Sequence, residues 1–301
     1  MSKIRHILLD NPRPAAEAHF VANTRSQYLG QGTVLCQVLG GFKLFAIGAD
    51  VGFTPHMLFE GYWEYWLTRH FAAVIRAGDT VIDIGANLGY YTLLAADLVG
   101  DTGQVVAVEP NPEVFRHLAA SIAVNGFAGR VQPLNRAIAA PGESGSRPFF
   151  VPTGEPKNGR FVAAGEDPVW LAAHGTLGEV SIGALDPEQF QRVDFIKIDV
   201  EGAELAVLEH LRPILERFRP KVVCEVNFAR GYGWDDVARA FGTDALSFLD
   251  FDSTVKPLTR AMAETRQWGE DWLVCVDLEQ PSRSTRRPVN IPVTMSVSGE
   301  A

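Results

Sequence analysis

The sequence predicts an α/β fold in which a mostly parallel, twisted sheet is covered by helices on both faces. The chain has 301 residues and is 47% hydrophobic, enough to bury one full core. From residue 80 onward, short apolar segments alternate with helical segments of about three turns. Because this alternation requires crossover connections between strands, it favours parallel pairing with helices on both faces.

An N-terminal extension, residues 1–56, precedes the alternating part of the sequence. Its residues 14–29 have a weak helical pattern, whereas 34–39 and 42–47 are strand-like. A pair of glycines joins the two strand-like runs, and glycine pairs favour a tight turn. We therefore expect a β-hairpin in the extension. The aromatic-rich segment 57–77 follows and predicts one core-packing helix.

Residues 57–278 form the predicted main domain. Within it, residues 139–192 break the alternation and are rich in Gly, Pro and Ser, which predicts either a substrate-side insertion or a disordered surface loop. The tail, 279–301, has no helical or alternating pattern and is expected to be mobile. Strands are predicted at 80–83, 104–109, 131–138, 193–199, 221–226, 246–251 and 272–278, and helices at 90–99, 112–125, 203–218 and 234–241.

Composition restricts the function classes. A net charge of −9 and a pI near 5.3 argue against sequence-independent nucleic-acid binding, which needs a surplus of Lys and Arg. No apolar run approaches the roughly 20 residues that span a bilayer, and the N-terminus lacks a signal-peptide pattern. The three cysteines lie far apart in apolar runs, as structural thiols do. We therefore expect a cytoplasmic protein without a membrane span or a nucleic-acid partner.

A glycine-containing turn, D-I-G-A-N-L-G at residues 83–89, directly follows the first strand of the main domain. Ligands of open parallel sheets bind beyond the carboxyl ends of the strands, where such a turn lies. Asn87 occupies the position at which dinucleotide-binding loops often have a middle glycine. Its side chain therefore hinders the close approach of a pyrophosphate to the backbone. The turn therefore favours S-adenosylmethionine, which has no phosphate, over NAD.

The next strand, 104–109, ends in Glu109. A carboxylate about 20 residues beyond a nucleotide-binding turn accepts hydrogen bonds from the ribose hydroxyls. In the alternative interpretation, the glycines serve only a tight turn and Glu109 caps the helix that begins near Pro112. A NAD-dependent oxidoreductase, or a relative of the fold that binds without catalysis, remains an alternative function.

Three segments resemble the FkbM-type methyltransferases. They are V-I-D-I-G-A-N-L-G-Y-Y-T at 81–92, V-V-A-V-E-P-N-P at 105–112 and, most distinctive, D-F-I-K-I-D-V-E-G-A-E at 194–204, with Asn125 ending the helix between the second and third. The resemblance extends over about residues 60–226. It implies a Rossmann-like, class I, S-adenosylmethionine-dependent enzyme that methylates hydroxyl groups of sugars, polyketides or related metabolites. It also implies a seven-stranded sheet whose final strand, 272–278 here, is antiparallel.

The resemblance also implies cofactor-binding residues, carried over by position. The turn residues should line the methionine and ribose side of the cofactor, Glu109 should hold the ribose, and the asparagine after it should flank the adenine. The implied set is Asp83, Gly85, Asn87, Gly89, Glu109 and Asn111.

The strand 193–199 has an acidic end. Because side chains alternate along a strand, Lys197 and Asp199 share one face. A lysine and an aspartate on a buried strand are costly unless paired. We expect Asp199 and Glu201 to project beside the sulfonium, with Lys197 balancing the carboxylates. A purely structural ion pair is the alternative.

Methyl transfer to a hydroxyl requires alignment of the acceptor and a group that takes its proton. Asp199 is the first candidate for this base, and His174, in the insertion, is the second, although an ordinary exposed loop histidine is the simpler interpretation of His174. Alternatively, oxygen atoms of Asp199, Glu225 and Asn227 bind Mg²⁺, which polarises the hydroxyl. No Cys or His spacing suggests zinc. The expected acceptor is a small molecule or a saccharide.

Overall fold

The structure is a computed structural model that describes residues 2–265 and 271–278. Its centre is a mixed, eight-stranded sheet with helices on both faces, which confirms the predicted α/β class. The predicted tail, 279–301, lies outside the described residues. None of the described helices combines the length and apolar character needed to cross a membrane.

The N-terminal part consists of two helices and a three-stranded antiparallel sheet. The predicted hairpin is confirmed, with Val38 opposite Phe42. The helix predicted over 14–29 ends at Asn23. Residues 25–30 form a third strand instead, because a turn with left-handed residues at 30–32 brings them against the first strand of the hairpin. The elements are α1 (Lys3–Asp10), α2 (Arg13–Asn23), β1 (Arg25–Gly30), β2 (Thr33–Val38) and β3 (Phe42–Ile47).

The single helix predicted over 57–77 is wrong, because the structure has two helices there, α3 (Thr54–Phe59) and α4 (Tyr65–Val74). Between them Gly61 adopts a φ of +71°, and a Cβ at this position would lie 2.1 Å from the Thr24 hydroxyl oxygen. Glu64 precedes α4 with a φ of +36°. The break allows the chain to turn toward the carboxyl ends of the central strands.

The strands of the central sheet are β4 (Thr80–Ile84), β5 (Gln104–Val108), β6 (Val131–Leu134), β11 (Phe195–Ile198), β12 (Lys221–Val226), β13 (Ser247–Leu249), β14 (Val255–Pro257) and β15 (Trp272–Asp277). Their order is β14-β13-β15-β12-β11-β4-β5-β6, and β4, β5, β6, β11 and β12 are parallel. The predicted antiparallel final strand is confirmed, since β15 pairs antiparallel with both β12 and β13. The predicted number of seven strands is wrong, because residues 255–257 add an eighth strand against β13.

Alternate residues of the central strands face two different apolar clusters. Val81 belongs to the cluster shared with the N-terminal part, whereas Ile82 belongs to the cluster on the opposite face. The first cluster joins Phe20 of the extension to Phe71 and Val81, so the extension and the central sheet share one core. The helices of the main part are α5 (Tyr90–Val99), α6 (Pro112–Val124), α8 (Glu204–Phe218), α9 (Trp234–Phe241) and α10 (Arg260–Thr265).

The insertion, 139–192, contains strands and helices, so the alternative of a disordered surface loop is wrong. The segment predicted as one strand, 131–138, divides into β6 in the central sheet and β7 in a second sheet of four strands, ordered β7-β10-β8-β9. The insertion gains its structure from long antiparallel pairing between β8 and β10. Strand β7 (Ala137–Ile138) directly precedes the insertion, which contains β8 (Gly145–Pro152), β9 (Arg160–Phe161), α7 (Pro168–His174) and β10 (Gly175–Gly183).

Candidate active site

A cavity of about 160 Å³ lies beyond the carboxyl ends of β4, β5, β11 and β12. Strand β4 lies between β11 and β5, so the cavity occupies the point where the strand order reverses, where open α/β sheets bind ligands. The central sheet, the N-terminal part and the insertion all contribute to its walls. The lining residues include Phe53, Trp63, Glu64, Gly85, Asn87, Tyr91, Glu109, Phe149, Lys157, Phe161, Asp199, Glu201 and Glu225.

The glycine turn is held close to the neighbouring strand. Gly85 has a φ of +76°, and a Cβ there would lie 1.7 Å from the Asp199 carbonyl oxygen, so only glycine fits. Gly89 directly precedes α5 with a φ of +99°, and a Cβ there would lie 2.7 Å from Leu118 Cδ1. Gly85 lines the cavity, whereas Gly89 packs behind it against α6.

Asn87 replaces the middle glycine in a left-handed conformation, with a φ of +52°. Asparagine adopts this conformation more readily than most residues with a side chain. Its backbone N–H donates to Glu109 Oε2 at 2.9 Å, and its side-chain oxygen accepts from the Leu88 N–H at 2.8 Å. The turn is therefore tied directly to the end of β5.

Glu109 is 7% exposed and lines the cavity. Its second oxygen, Oε1, accepts from the Asn111 N–H at 2.8 Å. Burial raises the pKa of Glu109 to about 7. Because each carboxylate oxygen accepts more than one hydrogen bond, Glu109 retains acceptor capacity toward the cavity.

Asn111 does not line the cavity. It caps α6, its side-chain oxygen accepting from the Glu113 N–H at 3.0 Å, and its buried Nδ2 has no hydrogen-bond partner among the described residues. The structure therefore places Asn111 beside Glu109 as a helix cap. It does not bring Asn111 to the cavity wall as the expected adenine contact.

Lys197 is buried between two carboxylates. Its Nζ lies 3.1 Å from Asp199 Oδ2 and 3.7 Å from Asp83 Oδ1. The lysine also donates to the Gly85 carbonyl oxygen at 3.2 Å. The contacts with Asp83 and Gly85 connect β11 to β4 and to the turn that follows it, whereas Asp199 lies at the end of the same strand as Lys197.

Asp83 is fully buried and accepts a hydrogen bond from the Thr92 hydroxyl at 2.7 Å. It is absent from the cavity wall. The alternation of β4 turns Asp83 toward α5, the same side as Val81. Asp83 therefore lies behind the turn and does not face the cofactor side as expected.

Asp199 and Glu225 meet at the cavity wall and share a hydrogen bond. The charge of Asp199, burial and this hydrogen bond raise the pKa of Glu225, which favours the protonated form of Glu225. Burial favours a higher pKa for Asp199, but Lys197 and the hydrogen bond from Glu225 outweigh it and lower the pKa of Asp199. The pair thus consists of one ionised and one neutral carboxyl group.

The expected magnesium ligands converge only in part. Asp199 and Glu225 meet, but Asn227 is not among the residues that line the cavity. Across 2–265 and 271–278, no group of three His, Cys, Asp or Glu side chains is arranged to hold a metal ion.

Of the other two expected catalytic residues, Glu201 lines the cavity and His174 does not. Glu201 accepts from Arg230 Nη2 at 2.9 Å, and burial raises the pKa of Glu201. The His174 ring stacks on Trp170 with centroids 4.2 Å apart, and its Nδ1 lies 2.8 Å from the Trp170 carbonyl oxygen. Helix α7 holds this pair in the insertion, so His174 is not positioned as a base at the cavity.

Glu64 is a site residue that sequence reasoning missed. The Tyr91 hydroxyl donates to Glu64 Oε2 at 2.7 Å. Burial raises the pKa of Glu64 to about 7, and the charge of Asp199 adds to this effect. Gly61, two residues after the end of α3, is a signal in the sequence for a break in the helix, but no signal in the sequence places Glu64 at the cavity.

A family model for the Methyltransferase FkbM domain matches residues 83–251. Protein-L-isoaspartate O-methyltransferase 2 from Archaeoglobus fulgidus is 29% identical over 73 residues, which cover 22% of this chain and 33% of that protein. This chain therefore spans about a third of the length of that curated relative.

Solved structures similar to this chain include two methyltransferases. The methyltransferase FkbM from Methylobacillus flagellatus KT has 15% identity and a TM-score of 0.34, with 54% of this chain and 42% of that chain covered. An rRNA methylase from Streptococcus thermophilus has 12% identity and a TM-score of 0.40, with 72% of this chain and 96% of that chain covered.

The residues matched by the family model extend from Asp83, at the start of the glycine turn, to Phe251 after β13. They contain the turn, Glu109 and the β11 segment, on which the resemblance in the sequence depends. The expected class I, Rossmann-like fold and the expected cofactor, S-adenosylmethionine, are confirmed. A carboxylate at the end of β5 and a cavity at the reversal of strand order fit this cofactor. The chain belongs to the FkbM methyltransferase family.

Proposed function

We propose that the protein is an O-methyltransferase that methylates a hydroxyl group of a small-molecule or saccharide acceptor, such as a sugar or a polyketide. The observation that carries this proposal is the convergence of Glu64, Asp199 and Glu225 on the cavity. A hydroxyl must lose its proton as it is methylated, and a carboxylate within hydrogen-bond reach accepts it. S-adenosylmethionine, when bound, supplies an electrophilic methyl group.

For the cofactor, we assign direct contacts to the residues that line the cavity. Glu109 accepts hydrogen bonds from the ribose hydroxyls, and the backbone at Gly85 and Asn87 forms the adjoining wall. The other expected cofactor residues do not line the cavity, and we assign to them the support of residues that do. Asp83 holds Lys197, Gly89 allows α5 to approach α6, and Asn111 donates its N–H to Glu109.

For the proton, we assign Glu64 as the first candidate. A base works best when its pKa is near the working pH, and the pKa of Glu64 is about 7. Asp199, the base expected from sequence, is paired with Lys197 and has a lowered pKa, so it is a weaker proton acceptor. We assign Asp199 to electrostatic stabilisation of the sulfonium, Lys197 to keeping Asp199 ionised, and Glu201 to the edge of the site, where Arg230 holds it.

We propose a small acceptor and not a nucleic acid because the chain carries a net charge of −9. A protein that binds nucleic acid through its backbone must neutralise phosphates with Lys and Arg. Titration of a short RNA duplex at low salt tests this part directly. Binding with a strong salt dependence would favour a nucleic-acid acceptor.

The experiment for the reaction combines binding with product analysis. Calorimetry with S-adenosylhomocysteine should show binding, and labelled S-adenosylmethionine should transfer its methyl group to oxygen in a panel of hydroxylated small molecules. Replacement Glu64→Gln should lower the rate about 10²–10⁴-fold without loss of S-adenosylhomocysteine binding. Replacement Glu60→Gln, at a half-buried residue paired with His56, is the matched control.

Two results would overturn the proposal. Methylation on nitrogen or carbon would exclude O-methyl transfer. Binding of S-adenosylhomocysteine without transfer to any hydroxyl of the panel would favour the alternative of a fold relative that binds without catalysis.

A further inference from the structure

A second cavity, of about 530 Å³, adjoins the first. Glu64 and Glu225 line both cavities, so they form the boundary between them. The rest of the second cavity comes from α4, the β13 strand end, α10 and β15. It therefore leads from the protein surface to the carboxylates that we assign to proton transfer.

Aromatic side chains form two of its walls. Trp66 and Phe251 pack edge to face with centroids 4.7 Å apart, and Phe248 and Trp272 do so at 4.8 Å. Phe251 is 60% exposed, a large apolar side chain left accessible beside a cavity. Exposed aromatic surface of this kind marks a ligand-binding groove more often than an isolated surface residue does.

The acidic side chains in the described lining of the second cavity are Glu64, Glu225, Asp250 and Asp271, and this described lining includes no Lys, Arg or His. Glu225 is the neutral member of its pair with Asp199, so it adds no negative charge to the lining. Lys256 contacts Asp250 at 2.5 Å but does not line the cavity. A site with this lining repels anions and favours positive charge.

We propose that the second cavity binds the methyl acceptor, and that this acceptor is a small organic cation, with a protonated or quaternary amine, that also carries the hydroxyl. Aromatic faces attract such a cation, most strongly when the contact is desolvated. The acidic lining adds to this attraction. The inference rests on the proposed O-methyltransferase function.

The hydroxyl of this acceptor reaches the boundary formed by Glu64 and Glu225. There the acceptor oxygen forms a bond to the methyl carbon while the carbon–sulfur bond breaks and its electron pair remains on sulfur. The hydroxyl proton passes to the Glu64 carboxylate. The products are the methyl ether and the neutral sulfide, S-adenosylhomocysteine.

The test compares choline with its uncharged isostere, 3,3-dimethylbutan-1-ol. The full chain, labelled with 5-fluorotryptophan and saturated with S-adenosylhomocysteine, is titrated with each compound and followed by ¹⁹F NMR. The replacements Trp66→Phe and Trp272→Phe assign the two reporter signals, and Trp170, which lines neither cavity, is the internal reference.

We expect choline to shift the signals of Trp66 and Trp272, but not that of Trp170, at concentrations at least about 10-fold below those needed for the isostere. The replacement Phe251→Leu should weaken choline binding several-fold. Phe59→Leu is its matched control, because Phe59 is 75% exposed and lines neither cavity.

The inference is overturned if the isostere binds as tightly as choline, or if neither compound shifts the two signals. S-adenosylhomocysteine binding, measured in the same samples, separates the two proposals. Its absence would count against the proposed function, whereas intact binding without a preference for choline would count against this inference alone.

Discussion

The Lys197 ammonium lies 3.7 Å from Asp83 Oδ1, and the two residues are register partners on neighbouring parallel strands. Both side chains are almost completely withdrawn from solvent, with exposures of 4% and 0%. The same ammonium contacts Asp199 at the cavity wall. One buried cation therefore connects the glycine turn to the acidic end of β11.

The replacement Lys197→Met should destabilise the fold by about 3–5 kcal/mol, because it leaves the Asp83 carboxyl buried without its cation. Urea denaturation at neutral pH measures the change. The control is Lys221→Met, which breaks the exposed pair with Asp277 and should cost no more than about 1 kcal/mol. Equal losses for the two variants would contradict a structural role for the buried pair.

The replacement Gly85→Ala should be far more damaging than an alanine at another left-handed glycine. A Cβ at residue 85 would lie 1.7 Å from the Asp199 carbonyl oxygen, so strand β11 must move. At Gly126, with a φ of +73°, a Cβ meets nothing within 4 Å. We expect a loss of about 1–2 kcal/mol for Gly126→Ala and at least about 3 kcal/mol for Gly85→Ala. Thermal and urea unfolding of both variants check this difference, and similar stabilities would refute it.

The replacement Glu109→Gln should weaken S-adenosylhomocysteine binding by at least about 10-fold, because a hydrogen bond to a charged group contributes about 1.5–3 kcal/mol. Calorimetry at pH 8, above the pKa of about 7, provides the ionised form in the parent protein. Glu113→Gln, at an exposed residue in the first turn of α6, is the control and should bind normally. Unchanged affinity in Glu109→Gln would remove Glu109 from the cofactor site.

Glu109 also predicts a pH dependence of stability. Burial raises its pKa to about 7 from an ordinary value of 4.5. The native state thus favours the neutral carboxyl, so this stabilisation is complete below pH 4.5 and is lost as the pH rises through 7. The loss amounts to no more than about 3 kcal/mol.

Urea unfolding of the ligand-free protein between pH 5 and pH 8 measures this effect. The difference in stability between the parent protein and Glu109→Gln should change in favour of the variant as the pH rises. A difference that is constant with pH would show that the pKa of Glu109 is close to its ordinary value.

Local pattern was sufficient for several elements. Helix α5 (Tyr90–Val99), strand β12 (Lys221–Val226) and helix α9 (Trp234–Phe241) have the predicted bounds, because glycine turns and dense apolar periodicity mark their ends. The break between α3 and α4 was missed because it depends on contact between Gly61 and Thr24, residues distant in the sequence. A helical period alone contains no information about such a contact.

The candidate active site likewise contains some residues that local pattern predicts and others that depend on distant contacts. The cavity walls at Gly85, Asn87 and Glu109 follow from the motif. The orientation of the Asp83 side chain follows from the alternation of side chains along β4, whereas the motif groups Asp83 with the cofactor-binding residues. The positions of Glu64 and His174 were not predictable from the sequence, because they depend on how the N-terminal part and the insertion pack around the sheet.

Strand β15 is antiparallel to both of its neighbours, β12 and β13, and both of them precede it in the sequence. Strands β13 and β14 reach the central sheet only through β15, since β13 pairs with β14 and β15. During synthesis these two strands emerge before the partner that attaches them. The central sheet thus becomes complete only after residue 277 has left the ribosome, and until then the edge of β12 is exposed to wrong partners.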